Sequence, residues 1–92
     1  MRTVLITGGA QGIGQAIVER FLGLGDQVVF CDRNASSATT LLHALNHPKL
    51  AYLQVDLSDY EQVQAMFKQI QEDYGSLDIL VNNAALQIEA SF

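Results

Sequence analysis

The residues best suited to chemistry lie near the amino terminus, in the segment Thr7–Gly14, whose sequence is TGGAQGIG. This segment follows the apolar run Val4-Leu5-Ile6 and precedes an amphipathic stretch, which is typical of a turn from a buried strand into a helix. Glycine permits a tight turn and a close approach to the backbone. The helix directs unpaired N–H groups and the positive end of its dipole at the turn. An anion, above all a phosphate, suits this place.

The glycine spacing is Gly-x-x-x-Gly-x-Gly, with Gly8, Gly12 and Gly14 as its glycines. This spacing is one residue longer than the common dinucleotide fingerprint, and it lacks the Lys-Ser/Thr ending of a nucleoside-triphosphate loop. A glycine-rich turn that binds nothing is the alternative interpretation of this segment by itself.

A carboxylate provides a second candidate contact. Asp32 follows Gly14 by eighteen residues, close to the separation that places an acidic residue on the adenosine ribose hydroxyls. A solvated aspartate at a strand end is the alternative. Arg33 is of a type that accepts the 2′-phosphate of NADP, but that phosphate would also meet Asp32, so the pair favours NAD over NADP.

The elements that must position these residues follow from hydrophobic periodicity and turn signals. Four apolar strands alternate with three helices, and the predicted ranges are 2–7, 12–22, 27–31, 36–46, 50–55, 58–74 and 77–81. Ile13 and Val18 belong to the predicted apolar face of the first helix. Pro48 is predicted to stop the second helix, Ser58 and Glu61 to form a capping box, and Gly75 to cap the third helix.

This alternation predicts an α/β fold, a Rossmann-like three-layer sandwich with a parallel sheet of four strands in the order 3-2-1-4. The glycine turn then lies beside the point where strand order reverses, which is where open α/β sheets bind ligands.

Composition limits the other possibilities. The chain has 92 residues, 49% of them hydrophobic, enough for one small core and too few for two domains. The net charge of −5 without a basic cluster argues against nucleic acid as a partner. Short apolar segments predict no membrane span, and Met1 runs directly into the first strand without a signal peptide. The single cysteine, Cys31, fits a reducing compartment, so we expect a cytoplasmic protein.

Four motifs in order, Thr7–Gly14, Asp32, Asp56-Leu57 and Asn82-Asn83-Ala84, resemble those of the short-chain dehydrogenase/reductase family. The resemblance runs from about residue 3 to residue 85. It implies that residues 1–92 are a single truncated Rossmann-type dinucleotide-binding domain of an oxidoreductase family.

The resemblance also implies roles for individual residues. The glycine turn would hold the pyrophosphate, Asp32 the adenosine ribose, Asp56 the adenine amino group, and Asn83 with Ala84 the nicotinamide-side ribose, while Asn82 would help to tie the sheet together. The implied cofactor-binding residues are Gly8, Gln11, Gly12, Ile13, Gly14, Asp32, Arg33, Asp56, Leu57, Asn83, Ala84 and Ala85. Without the other motifs, Asp56 and the asparagine pair read as ordinary turn residues.

The sequence departs from the family in two places. Ala85 stands where a glycine is usual. The family's catalytic serine and its Tyr-x-x-x-Lys pair fall beyond this chain, and no tyrosine here has a lysine four residues later: Tyr52, Tyr60 and Tyr74 are followed by Asp56, Gln64 and Asp78. That tyrosine is the family's general acid/base. We therefore expect the isolated chain to lack catalysis.

Other chemistries have weaker support. His43 and His47 have helical spacing, but no nearby carboxylate or cysteine completes a metal site, and a surface helix end is the simpler interpretation. Cys31 lies in a predicted buried strand, where packing is more plausible than nucleophilic reactivity. No Gly-x-Ser-x-Gly motif is present.

Three hypotheses follow: a fragmentary oxidoreductase, a module that binds NAD or another adenine nucleotide, and a self-associating structural remnant. The fourth predicted strand, Leu77 to Val81, would be an exposed apolar edge. We therefore expect a homo-oligomer that forms through this strand and the tail Gln87 to Phe92.

Overall fold

The computed structural model describes residues 1–10 and 12–84, and these residues form four strands and three helices in alternation. The elements are β1 (Thr3–Thr7), α1 (Gly12–Gly23), β2 (Gln27–Asp32), α2 (Ala35–Leu45), β3 (Leu50–Gln54), α3 (Tyr60–Tyr74) and β4 (Ile79–Asn82). Each of the first three strands is followed by a helix that returns the chain to the same end of the sheet. The predicted α/β class is confirmed.

The sheet is parallel throughout, with the strand order β3-β2-β1-β4. This is the predicted order. β1 lies in the interior of the sheet and all five of its residues are buried. The strand order therefore reverses at β1: β2 and β3 lie on one side of it and β4 lies on the other.

Helices cover both faces of the sheet. Successive strand residues point to opposite sides, and the apolar residues on each side need a helix to bury them. On one face, α1 and α2 pack against a cluster that includes Val4, Ile6 and Phe30. On the other face, α3 packs against a cluster that includes Leu5 and Val29. The three-layer arrangement is thus confirmed.

The amino-terminal edge of the sheet is held by polar contacts. The guanidinium of Arg2 donates two hydrogen bonds to the Asp26 carboxylate, at 2.9 and 2.8 Å. Asp26 is buried, and its charge raises the pKa of Arg2 through the hydrogen bond and through Coulomb attraction. The Thr3 backbone N–H donates to Asp78 Oδ2 at 2.7 Å. The charged side chains at this edge therefore stabilise the sheet through an ion pair and a hydrogen bond.

Two of the predicted helix ends differ from the observed ones. The cap of α3 is Asp59, whose Oδ1 accepts from the N–H groups of Glu61 and Gln62 at 3.0 and 3.2 Å, so the predicted capping box at Ser58 is wrong. The Ser58 side chain instead donates to Asp56. α2 ends at Leu45, one residue before the predicted end, and Asn46 caps it in the left-handed conformation with φ 41°. Gly75, with φ 83°, caps α3 as predicted.

The other differences concern burial and strand length. The buried residues of α1 are Gly14, Val18 and Leu22, whereas Ile13 is 75% exposed because the first turn of the helix lies at the edge of the sheet. β3 ends one residue before the predicted Val55, and β4 is shifted toward the carboxyl end of its predicted range. Within residues 1–10 and 12–84, no helix is long and apolar enough to cross a membrane.

Candidate functional site

The carboxyl ends of the strands meet at one edge of the sheet. In the observed register, Thr7 at the end of β1 is opposite Cys31 on one side and Asn82 on the other, and Asp32 is opposite Gln54. The residues that follow these strands are the predicted site residues. The fold therefore brings to one edge four segments that are far apart in the sequence.

The glycine turn requires glycine at Gly8 and Gly14 for different reasons. Gly8 has φ +68°, and a Cβ there would lie 3.0 Å from the Ala84 Cα. A Cβ on Gly14 would lie 2.1 Å from the Gly8 carbonyl oxygen and 2.7 Å from Asn83 Nδ2. Such distances exclude any side chain without a movement of the backbone. Gly14 thus lets the first turn of α1 rest on the loop that precedes it.

At Gly12 the reason is conformational. Its φ is +57°, which favours glycine, and a Cβ there would meet no atom within 4 Å. Ile13 beside it is largely exposed. The amino-terminal end of α1 therefore faces open space, and its first turn carries no acidic residue that would oppose an anion.

The hydroxyl of Thr7 joins the glycine turn to the end of β4. Thr7 Oγ1 accepts hydrogen bonds from the backbone N–H groups of Asn83 at 2.9 Å and Ala84 at 3.1 Å, and donates to the Val81 carbonyl at 3.4 Å. Asn83 Nδ2 donates in turn to the Gly8 carbonyl at 3.1 Å. Asn83, more than Asn82, therefore ties the two loops together.

The sequence analysis gave Thr7 no role of its own. The sequence did contain a signal for such a role, because Thr7 is a polar residue at the end of a buried strand, and a buried hydroxyl needs a hydrogen-bond partner. Thr7 is only 4% exposed.

The Asp32 carboxylate is fixed at one oxygen. Its Oδ1 accepts from the Asn34 backbone N–H at 3.0 Å, and within the described residues Oδ2 has no hydrogen bond. The backbone here is held from β3: the Tyr52 hydroxyl donates to the Asp32 carbonyl at 2.7 Å and Gln54 Nε2 to the Arg33 carbonyl at 3.3 Å. One carboxylate oxygen therefore positions the side chain while the other is available to a ligand.

Asp56 follows β3 and is also oriented by a local turn. Its Oδ1 accepts from both the hydroxyl, at 2.6 Å, and the N–H, at 2.9 Å, of Ser58. These hydrogen bonds, helped by the positive charge of Arg33, hold the pKa of Asp56 below its ordinary value. Leu57 packs against the core cluster beneath α3. Gln11 and Ala85, also predicted for the site, lie outside the described residues.

The other candidate groups have structural surroundings. Cys31 is fully buried, and burial raises the pKa of its thiol to about 11. His47 Nδ1 accepts from the Lys49 N–H at 3.0 Å. Across residues 1–10 and 12–84, no group of three His, Cys, Asp or Glu side chains is arranged to hold a metal ion.

A cleft of about 260 Å³ lies between α1 and α2, beside the glycine turn. Its lining residues are Ala10, Gln15, Ser36, Ser37, Thr40, Leu41 and Ala44. None of these is charged, and Ala10 is the one that belongs to the predicted glycine turn. The cleft therefore adjoins the candidate site, which continues as an open shelf along the carboxyl edge of the sheet.

This shelf has features that fit a dinucleotide. The start of α1 offers helix N–H groups and free space to a phosphate, and the glycine conformations keep side chains out of that space. A free carboxylate oxygen at Asp32 offers an acceptor for a sugar diol at the next strand end. The asparagine loop after β4 closes the other side of the turn.

Comparison with known proteins identifies relatives of one family. Residues 2–92 match the family model described as short chain dehydrogenase. The chain is 41% identical over 87 residues to a short chain dehydrogenase/reductase, dpchG, of Colletotrichum higginsianum, covering 92% of this chain and 32% of the relative. It is 36% identical to the 15-hydroxyprostaglandin dehydrogenase [NAD(+)] of Bos taurus, covering 99% of this chain and 36% of that protein.

Among solved structures, that of ElxO with NADP bound superposes with a TM-score of 0.85 at 32% identity, covering 95% of this chain and 36% of the other. The chain thus spans about a third of the length of the curated relatives it matches. The match to the family model extends over nearly the whole chain and includes every strand of the sheet. This protein therefore belongs to the short-chain dehydrogenase/reductase family.

Proposed function

We propose that residues 1–92 are a single dinucleotide-binding domain that holds NAD along the carboxyl edge of the sheet. The turn from Gly8 to Gly14 receives the pyrophosphate and Asp32 the adenosine ribose. Asp56 with Leu57 lies at the adenine, and Asn83 with Ala84 at the nicotinamide-side ribose. Gln11 and Ala85 complete the proposed set.

One observation carries this proposal. The turn before α1 is packed so closely that Gly14 has no room for a side chain, while Gly12 beside it faces open space. A turn that is tight on its protein side and empty on the other suits a phosphate that approaches the backbone. The other glycines with a clear side, such as Gly75 at the end of α3, lack this close packing on the protein side.

The preference for NAD rests on Asp32. A 2′-phosphate would bring negative charge to the carboxylate that the free ribose diol would use as an acceptor. Arg33 is exposed and could attract such a phosphate, but its charge also acts on Asp56. The relatives include one named for NAD and one solved with NADP, so Asp32 is the deciding feature.

We propose that these 92 residues do not transfer hydride by themselves. Their three tyrosines lack a lysine four residues later, and a general acid/base needs such a partner to adjust its pKa. The whole protein's reaction, in this proposal, is the oxidoreduction typical of the family. The cytoplasm is the compartment we propose, because its reducing conditions suit the unpaired Cys31.

Isothermal titration of NAD and of NADP into the purified protein tests this function. NAD is expected to bind more tightly than NADP, and Asp32→Ala should weaken NAD binding by about tenfold, the loss of a hydrogen bond to a charged group. Asp73→Ala is the matched control, since Asp73 lies at the far end of α3 and should leave the affinity unchanged. A folded protein that binds neither nucleotide contradicts the proposal. Reduction of NAD by an alcohol would contradict the absence of catalysis.

A second candidate function, self-association, is favoured by one feature. Within residues 1–10 and 12–84, β4 pairs only with β1, and Leu80 on it is 44% exposed. An apolar edge strand is a template for pairing with another chain. The chain by itself would then form a homo-oligomer through 77–81; the predicted contribution of the tail 87–92 lies outside the described residues.

Sedimentation velocity at micromolar concentration tests this second candidate. An oligomer that Leu80→Lys converts to a folded monomer is expected, because a charge at an edge opposes strand pairing. Leu24→Lys is the control, since Leu24 is similarly exposed, at 52%, but follows α1. A wild-type monomer contradicts self-association.

A further inference from the structure

The most informative contact outside the predicted motifs is the one between Tyr52 and the end of β2. Tyr52 lies in β3, and its hydroxyl donates to the Asp32 backbone carbonyl at 2.7 Å. Two residues later on the same strand, Gln54 donates to the Arg33 carbonyl. Both peptide groups where β2 leaves the sheet are therefore held by side chains of the neighbouring strand.

The ring of Tyr52 connects this contact to the glycine turn. It packs on Phe30 with ring centroids 5.0 Å apart and a 30° angle between the planes. Phe30 is fully buried, and its Cβ would lie 2.6 Å from a Cβ placed on Gly9. Phe30 is therefore in close contact with the turn, and Tyr52 with Phe30. A continuous packed path joins the phosphate end of the candidate site to its ribose end.

The hydroxyl is suited to remain a donor. Burial, with the charge of Asp32 next in importance, raises the pKa of Tyr52, so the phenol keeps its proton at neutral pH. The accepting carbonyl belongs to the residue whose carboxylate is already turned by the Asn34 N–H. Backbone and side chain of Asp32 are thus fixed separately: the Tyr52 hydroxyl holds the carbonyl and the Asn34 N–H holds the carboxylate.

We infer that Tyr52 is a positioning residue for nucleotide discrimination: its hydroxyl holds Asp32 where the carboxylate accepts from the free ribose diol and repels a 2′-phosphate. The inference rests on the proposed function. It assigns to β3 a part in choosing between NAD and NADP, although Tyr52 itself touches neither. Phe30 lies against both the glycine turn and the ring of Tyr52.

Tyr52→Phe is the direct test, since it removes the hydroxyl and keeps the ring on Phe30. With NAD and NADP titrated into the whole protein, the affinity for NAD should fall about fivefold, the value of one net hydrogen bond. The affinity for NADP should stay the same or rise, because the carboxylate no longer opposes it firmly. The ratio of the two affinities is the readout, since general destabilisation would lower both affinities together.

Tyr74→Phe is the matched control. Tyr74 is also half-buried, but within the described residues its hydroxyl makes no hydrogen bond, so both affinities should be unchanged. A double-mutant cycle adds a second test: in an Asp32→Ala background, Tyr52→Phe should alter NAD affinity by less than about twofold, since its effect acts through Asp32.

The outcomes are distinguishable. An unchanged NAD-to-NADP ratio in Tyr52→Phe overturns the inference while leaving the proposed function intact, as does full additivity in the cycle. A folded wild-type protein that binds neither nucleotide overturns the proposed function and this inference with it.

Discussion

Thr7 Oγ1 lies 2.9 Å from the backbone nitrogen of Asn83, and this hydrogen bond joins β1 to the loop that follows β4. The same oxygen accepts from Ala84. Replacing Thr7 by valine keeps the shape and leaves two N–H groups without an acceptor. We expect the free energy of unfolding to fall by about 2 kcal/mol, the cost of unsatisfied donors, measured by urea denaturation.

Thr7→Ser is the control for that experiment. It keeps the hydroxyl and loses one methyl group, so about 1 kcal/mol should be lost. If valine proves as stable as serine, the hydroxyl is not what holds the loop.

Gly14 and Gly23 offer a comparison within one helix. Alanine at Gly14 would place its Cβ against the Gly8 carbonyl, and we expect a loss of about 2 kcal/mol or more through overpacking. Alanine at Gly23 meets nothing within 4 Å and should stabilise the protein by up to about 1 kcal/mol through helix propensity. Thermal unfolding of the two variants checks both signs; a neutral Gly14→Ala would show that the turn can relax.

Cys31 should resist thiol reagents in the folded protein. Its pKa is raised from 9.0 to about 11 by burial, so little thiolate exists at mildly alkaline pH. An aromatic disulfide reagent is expected to label Cys31 only after guanidinium chloride is added. Rapid labelling of the folded chain would mean that the strand opens locally.

The same shift predicts how stability depends on alkaline pH. Because the folded state holds the thiol proton more tightly, its stabilising effect is complete below pH 9.0 and is lost as the pH rises through about 11. Denaturation midpoints across this range should decline, and less steeply in Cys31→Ala. An equal slope in the variant would assign the decline to the tyrosines Tyr52 and Tyr74, whose pKa values burial also raises.

Asp56 and Ser58 predict an effect at acid pH. The two hydrogen bonds from Ser58 lower the pKa of Asp56, so the turn is stabilised above the ordinary pKa of the carboxyl and loses that stability as the pH falls through the lowered value. Ser58→Ala should raise the pKa of Asp56, as measured by NMR titration of its carboxyl carbon. Ser76→Ala, at an exposed serine beyond α3, should leave it unchanged.

The fold was predictable because each element carries its own signal. Strand order followed from the apolar runs and their crossovers, and the end of α3 from Gly75. The start of α3 was not predictable, because the sequence offers two competing caps. These are Ser58 paired with Glu61, and Asp59 alone. Asp56 takes up Ser58, which leaves the cap to Asp59. Such competition depends on side-chain geometry that sequence spacing does not contain.

The site was predictable only in part. The glycines of the turn and the aspartates at the strand ends have a characteristic spacing along the chain. Thr7 and Tyr52, by contrast, act through partners 76 and 20 residues away. Their contacts depend on strand register. From sequence alone, a tyrosine in an apolar strand cannot be distinguished from a residue that only packs in the core. Ile13 was assigned to the core because its periodicity is correct, although the helix begins too near the edge of the sheet to bury it.

The bond from Thr7 to Asn83 joins residues that are 76 positions apart, so we expect it to form late in folding. A chain is synthesised from its amino terminus, so the glycine turn exists long before the loop that completes it, and contacts between such distant residues form late. β1, β2 and β3 can pair first, but the turn is closed only when β4 docks. A ligand that recognises the closed turn adds its binding energy to the assembled state alone. On the proposed function, we therefore expect the nucleotide to bind only after β4 has docked and to stabilise that docked state.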